Sequence, residues 1–147
     1  MKNFYRYPKR DAIKNYFPMP NEIFGLDLSA GEISVYSFLM YCEDRKTFQC
    51  HPSYKTIGRA TRMSPNTVRK YVACLVQKRL ITTEPTQVTM KKGRKRNGNL
   101  LYTIRPIEEA VRYHFEKQLR KAEGEQARLR CIVALEKYDR KHPKTAV

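Results

Sequence analysis

The sequence predicts a mainly α fold with one small β-hairpin, an α+β arrangement, on three observations. Two short helical patterns, each opened by a serine, follow one another with only a few residues between them. Two β-favouring runs then flank a block of lysine and arginine, and a long helical pattern occupies the rest of the chain. With 147 residues, one domain with appendages is expected. Thirty Lys and Arg against fourteen Asp and Glu leave a net charge of +16, which points to a polyanionic partner. No stretch of eighteen apolar residues occurs, and Met1–Tyr7 lacks the apolar core of a secretion signal. A cytoplasmic protein without a membrane segment is the expectation.

Ser29-Ala30-Gly31-Glu32 has the form of a capping box, so a first helix starts there. Ile33, Val35, Tyr36, Phe38, Leu39, Met40, Tyr41 and Cys42 cover nearly its whole circumference, which requires burial on two sides. Residues 1–28 are read as an extension that packs on this helix through Phe17, Ile23, Phe24, Leu26 and Leu28. Glu43–Thr47 reads as a polar turn. Ser53 then caps a helix of about two turns carrying Tyr54, Ile57 and Ala60, which ends near Thr61-Arg62. Ser64 caps the next, with Pro65 at the first helical position, where a missing N–H costs nothing. Val68, Tyr71, Val72, Leu75 and Val76 recur at helical spacing as far as Lys78-Arg79. Two helices joined so closely cross steeply, as in a helix-turn-helix.

Leu80–Thr83 and Leu100–Ile104 are short and β-favouring. Between them lie Pro85, the cations Lys91, Lys92, Arg94, Lys95 and Arg96, and the turn-forming Asn97-Gly98-Asn99. This predicts a hairpin around a basic loop. Residues 85–105 hold six cations and no acid, a block that repels itself until an anion neutralises it. From Pro106 a helical pattern places Ile107, Val111, Phe115, Leu119 and Ala122 on one stripe, with Leu129, Ile132, Leu135 and Tyr138 on a continuation. Gly124 is expected to bend or interrupt it. His142–Val147 reads as a frayed tail.

Leu28–Glu32, Pro52–Gly58, Met63–Tyr71 and Leu80-Ile81 together resemble winged helix-turn-helix proteins carried by bacterial plasmids, phages and integrative elements. The same residues are similar to replication-initiator N-terminal domains and to the DNA-binding half of GntR-type regulators. The resemblance covers about residues 26–105 and is most specific from Pro52 to Ile81. It implies a DNA-binding domain over residues 29–105, with residues 106–147 as a separate helical segment. Arg62-Met63 departs from the family pattern, where a glycine often precedes the aliphatic residue. Either Arg62 takes the left-handed conformation or the turn is looser.

A recognition helix points its N-terminal turns at the bases. Ser64, Asn66, Thr67, Arg69 and Lys70 are the outward residues there, and Asn suits adenine as Arg suits guanine. The wing cations Lys91, Lys92, Arg94, Lys95 and Arg96 suit phosphates, with Arg94 or Arg96 entering the minor groove. Tyr54 and Lys55 are weaker phosphate candidates. For the aromatic-basic segment Phe4–Arg10, packing on helix one is preferred over a DNA arm or a partner-binding segment.

Chemistry of other kinds finds little support. Cys42, Cys50, Cys74 and Cys131 form no Cys-x-x-Cys pair, so no metal site is expected. The three histidines are scattered, and no phosphate-binding glycine loop occurs, so neither enzyme activity nor a cofactor is expected. The basic loop lacks the aromatic sheet platform that would suit RNA. No effector-binding domain is evident. The expected function is sequence-specific binding of double-stranded DNA by a transcriptional regulator. The alternative is a replication initiator or accessory protein of a mobile element. The C-terminal stripe either folds back on the winged helix or pairs with a second protomer; a homodimer is the preferred reading, and Gly124 with the change of stripe after it argues against one continuous coiled coil.

Overall fold

A serine opens each of the first three helices in the computed structural model, which describes residues 16–141. Ser29 Oγ accepts the Glu32 amide at 3.3 Å and starts α1 (Ala30–Cys42). Ser53 Oγ accepts the Thr56 amide at 3.1 Å and starts α2 (Tyr54–Thr61). Ser64 Oγ accepts the Thr67 amide at 3.2 Å and starts α3 (Pro65–Gln77). Each hydroxyl satisfies an amide that has no partner inside its helix. The capping box at α1 is realised in one direction: the Glu32 carboxylate turns to Lys78 Nζ at 2.8 Å and ties α1 to the end of α3.

α2 and α3 both end through an arginine in the left-handed region. Arg62 has φ 59°, and the Met63 amide reaches back to the Gly58 carbonyl at 2.8 Å. Arg79 has φ 60°, with the Leu80 amide on the Leu75 carbonyl at 3.1 Å and the Arg79 amide on the Val76 carbonyl at 3.1 Å. Both are Schellman-type ends in which arginine occupies the usual glycine place. Of the two alternatives for Arg62, the left-handed one holds.

Val35, Tyr36 and Leu39 of α1, Ile57 of α2, and Val68, Val72 and Leu75 of α3 meet in one core with Leu80, Ile81, Tyr102 and Ile104. Ile23 and Leu26 join it from a 3-10 turn over Asn21–Gly25. Phe24 does not: in so tight a turn neighbours point apart, and it is 82% exposed. Ala60 and Val76 are also on the surface, so α2 and α3 bury narrower stripes than the spacing suggested. The segment Phe4–Arg10 and the tail His142–Val147 lie outside the described residues.

The sheet has the order β1-β5-β2 and is antiparallel, with β1 (Gln49–Cys50), β2 (Ile81–Glu84) and β5 (Leu101–Ile104). The expected hairpin therefore exists, and β1 adds a strand that the sequence did not announce. A second tier extends from it, β3 (Gln87–Thr89) paired with β4 (Lys95–Asn97). The chain reverses at Lys91-Lys92-Gly93, inside the basic block and not at Asn97–Asn99. The Gly93 amide reaches the Met90 carbonyl at 3.0 Å, Gly93 has φ 73°, and the Met90 amide bonds the Arg94 carbonyl at 2.8 Å. This is a three-residue hairpin loop whose last position needs glycine. Gly98 and Asn99 join the two tiers instead.

α4 (Ile107–Lys141) is a single helix of 35 residues, about 50 Å long by the α-helical rise. Its first turns dock: Ala110 is buried, Glu109 takes two bonds from the Arg105 guanidinium at 2.7 and 3.1 Å, and Arg79 sits 4.9 Å from the Tyr113 ring centroid. From Phe115 onward every described residue is exposed. Gly124 does not interrupt the helix, since an isolated glycine costs only about 1 kcal/mol against alanine. Among the described residues no helix is long and apolar enough to cross a membrane.

Candidate nucleic-acid interface

The orientation of α3 is set by close approaches. A Cβ on Gly31 would stand 2.3 Å from the Tyr71 ring, so glycine there lets the Tyr71 side chain of α3 lie directly over α1. A Cβ on Gly58 would stand 2.4 Å from the Met63 carbonyl oxygen, so the turn folds directly over α2. At the far end Lys78 Nζ donates to Glu32 Oε2 at 2.8 Å and to the Asp27 carbonyl at 3.0 Å. Val68, Val72 and Leu75 face the core, and Tyr71 is half-buried.

Asn66, Arg69 and Lys70 are consequently exposed on the first turns of α3. Lys70 Nζ lies 5.9 Å from the Tyr71 ring centroid, a contact that orients the cation without neutralising it. Ser64 and Thr67 are engaged in the cap, their hydroxyls 2.8 Å apart, and Thr67 is half-buried. Tyr54 is half-buried against the core, whereas Lys55 is exposed.

Sequence reasoning passed over Arg59 and Arg62. With Lys55 they line a shallow concavity beside Met63 and Pro65, at the foot of α3. The spacing of Lys55 and Arg59, four residues apart on α2, is a signal that places those two cations on one helical face, whereas Arg62 joins them through the left-handed turn that follows the helix.

The wing carries its five cations fully exposed, with Lys91 and Lys92 in the turn and Arg94, Lys95 and Arg96 at and on β4. Among the described residues the ion pairs are Lys78–Glu32, Arg105–Glu109 and Arg120–Glu116. Neither the wing cations nor Lys55, Arg59, Arg62, Arg69 and Lys70 belong to one. The wing is braced on the body by Asn99 Nδ2, which donates to the His51 carbonyl at 3.2 Å, and by the Thr86 hydroxyl, which donates to the Asn99 carbonyl. A Cβ on Gly98 would stand 2.5 Å from the Thr86 hydroxyl.

Titratable groups elsewhere belong to packing. Burial, with a smaller contribution from Glu43, pushes the Tyr36 phenol up to about 12, and burial pushes the Cys50 thiol up to about 12 and the Cys42 thiol upward. The Arg105 hydrogen bonds hold the Glu109 carboxyl below its ordinary range. Among the described residues no group of three or more His, Cys, Asp or Glu could hold a metal ion.

Residues 26–81 match the family model of a helix-turn-helix domain, from Leu26 through the three helices to the first residue of β2. No curated protein matches the chain. Among solved structures, the chain is similar to one described as a possible transcriptional regulator from Methanosarcina mazei Go1. Identity is 15%, over 73% of this chain and 81% of that one, with a TM-score of 0.48. That likeness is too loose to carry either fold or function. The helix-turn-helix match agrees with the arrangement of α1, α2 and α3, which is that of a DNA-binding module.

Proposed function

We propose that the protein binds double-stranded DNA in a sequence-specific manner and acts as a transcriptional regulator. One observation carries this reading. Exposed cations that join no ion pair among the described residues cluster at the foot of α3, as Lys55, Arg59 and Arg62 near Pro65, and again on the wing. Asn66 and Arg69 enter the major groove and hydrogen-bond base edges, with Lys70 beside them. The Ser64 cap and the free amides of the first turn receive a phosphate. Lys55 and its two arginine neighbours hold the backbone, with Tyr54 at the margin. Lys91, Lys92, Arg94, Lys95 and Arg96 hold the adjacent backbone and reach the minor groove.

Assembly as a homodimer through α4 completes the reading. Phe115, Leu119, Ala122, Leu129 and Val133 fall on a three-and-four seam of one uninterrupted helix, with the polar Gln126 in the place between Ala122 and Leu129, and the four large ones are exposed. That spacing suits a coiled-coil seam with a second α4. Paired domains would then meet two half-sites about one helical turn, roughly 34–36 Å, apart. Leu119→Asp with Leu129→Asp in the full chain should give a monomer by light scattering. A monomeric wild type removes the dimer.

Selection from random duplexes tests the function. Asn66→Ala and Arg69→Ala should each relax base preference at one position, by about 1–3 kcal/mol of discrimination. An unaltered consensus would show that α3 does not read the bases. A motif recovered beside a promoter supports regulation, whereas one confined to a replication origin transfers the same surface to an initiator.

A further inference from the structure

Two apolar side chains stand in the most cationic part of the chain, and neither the core nor phosphate binding accounts for them. Val88 is 56% and Met90 50% exposed. The strand register decides what surrounds them. Val88 is opposite Arg96, Thr89 opposite Lys95 and Gln87 opposite Asn97, and the Met90 amide bonds the Arg94 carbonyl beyond the last pair. Opposed residues share a side of a hairpin, and successive residues alternate. One face therefore carries Val88, Met90, Arg94 and Arg96, and the other Gln87, Thr89, Lys95 and Asn97. Gly98 continues the first face, where a Cβ would stand 3.1 Å from Val88 Cγ2 and 2.5 Å from the Thr86 hydroxyl, so the glycine leaves Val88 and Thr86 their places at the base of that face.

The two faces differ in chemistry. The second is polar with a single lysine, which is all that backbone contact needs. The first places two apolar side chains between two arginines. That combination matches the minor groove, where negative potential draws arginine in and an apolar side chain can enter between stacked base pairs.

We infer that the Val88–Met90 face of the wing is a minor-groove wedge that bends the duplex. Arg94 and Arg96 hold the groove while Val88 and Met90 partly unstack one base step beneath them. The inference rests on the proposed DNA binding and adds a second source of specificity, one that touches no hydrogen-bonding base edge. Pyrimidine–purine steps unstack most easily, so the wing selects a TA or CA step outside the bases read by α3.

The test uses the full chain on the duplex recovered by selection, with fluorophores at the two ends to report its bend. Wild-type protein should bend it by roughly 20–90°, the range of wedge-inserting proteins. Val88→Ser with Met90→Ser should lose more than half of that bend and bind on the order of tenfold more weakly, because the apolar contact of both side chains with the opened base step is lost. The slope of affinity against salt should stay unchanged, since no cation is removed. Val88→Ile with Met90→Leu should keep the bend, and equal melting temperatures show that the variants fold. A serine variant that bends as wild type does, or a wild type that binds without bending, removes the wedge and leaves DNA binding intact. A serine variant that changes only the oligomeric state also overturns the wedge and gives this face to a second copy. A wild type that binds no duplex removes the DNA-binding reading itself.

Discussion

α3 and the wing both present cations outside any ion pair, but they are held in opposite ways. α3 is locked on three sides, by Tyr71 over Gly31, by the turn over Gly58 and by Lys78 on Glu32. The second tier of the wing, β3 and β4, touches the body through the strands that lead into it and the Thr86–Asn99–His51 relay. Hydrogen bonding to base edges depends on placement to a fraction of an ångström, so α3 needs a rigid seat. Phosphate neutralisation depends on charge count and tolerates movement. On the proposed DNA-binding reading, the difference in packing would suit a division of labour between reading and holding.

The largest effect that can break this comparison comes from the wing. Replacing Lys91, Lys92, Arg94, Lys95 and Arg96 with Ala should lower duplex affinity by about a hundred- to a thousandfold and flatten the salt slope by about four units. The selected consensus at the bases under α3 should survive, and its loss would show that the two regions do not act separately. Lys78→Ala comes next. It leaves the buried Glu32 carboxylate without its cation and should cost about 3 kcal/mol in denaturant unfolding, with Glu32→Gln milder because the lysine can still reach water.

Gly58→Ala is expected to cost about 1–3 kcal/mol, because backbone and not a flexible side chain must yield. Its sharper signature is base preference, which should broaden while the salt slope holds. Arg62→Gly has the smallest effect and the opposite sign on stability. Releasing a left-handed arginine should stabilise the fold by about 1 kcal/mol and lower affinity by about one phosphate contact. Unchanged affinity in Arg62→Gly would take Arg62 out of the interface.

Much of the architecture was legible because its signals are local. Ser29, Ser53 and Ser64 each announce a helix within three residues, and Pro65 confirms the third. β2 and β5 read from Leu80–Thr83 and Leu100–Ile104 to within one residue at each end. β1 was not legible, since two residues carry no alternation and their partners lie more than fifty positions away on β5. β3 and β4 were hidden because Lys95 and Arg96 have no β preference, and their pairing with Thr89 and Val88 is not announced by any alternation. Gly124 misled for the reverse reason: a local cost is absorbed by a long helix.

The candidate surface divides in the same way. Asn66, Arg69, Lys70 and the five wing cations were identifiable from spacing and charge, whereas Arg59 and Arg62 needed the turn to bring them beside Pro65. By itself the sequence determined the helix starts, the apolar stripes of α1 and α3 and the concentration of charge in residues 85–105, because caps, periodicity and charge density are set by near neighbours. The tertiary structure alone decided which cations stand together, which face of the wing holds Val88 and Met90 with the arginines, and that most of α4 stands away from the body. Those outcomes depend on strand register and on close approaches such as Tyr71 to Gly31, where residues distant in the chain must fit in space.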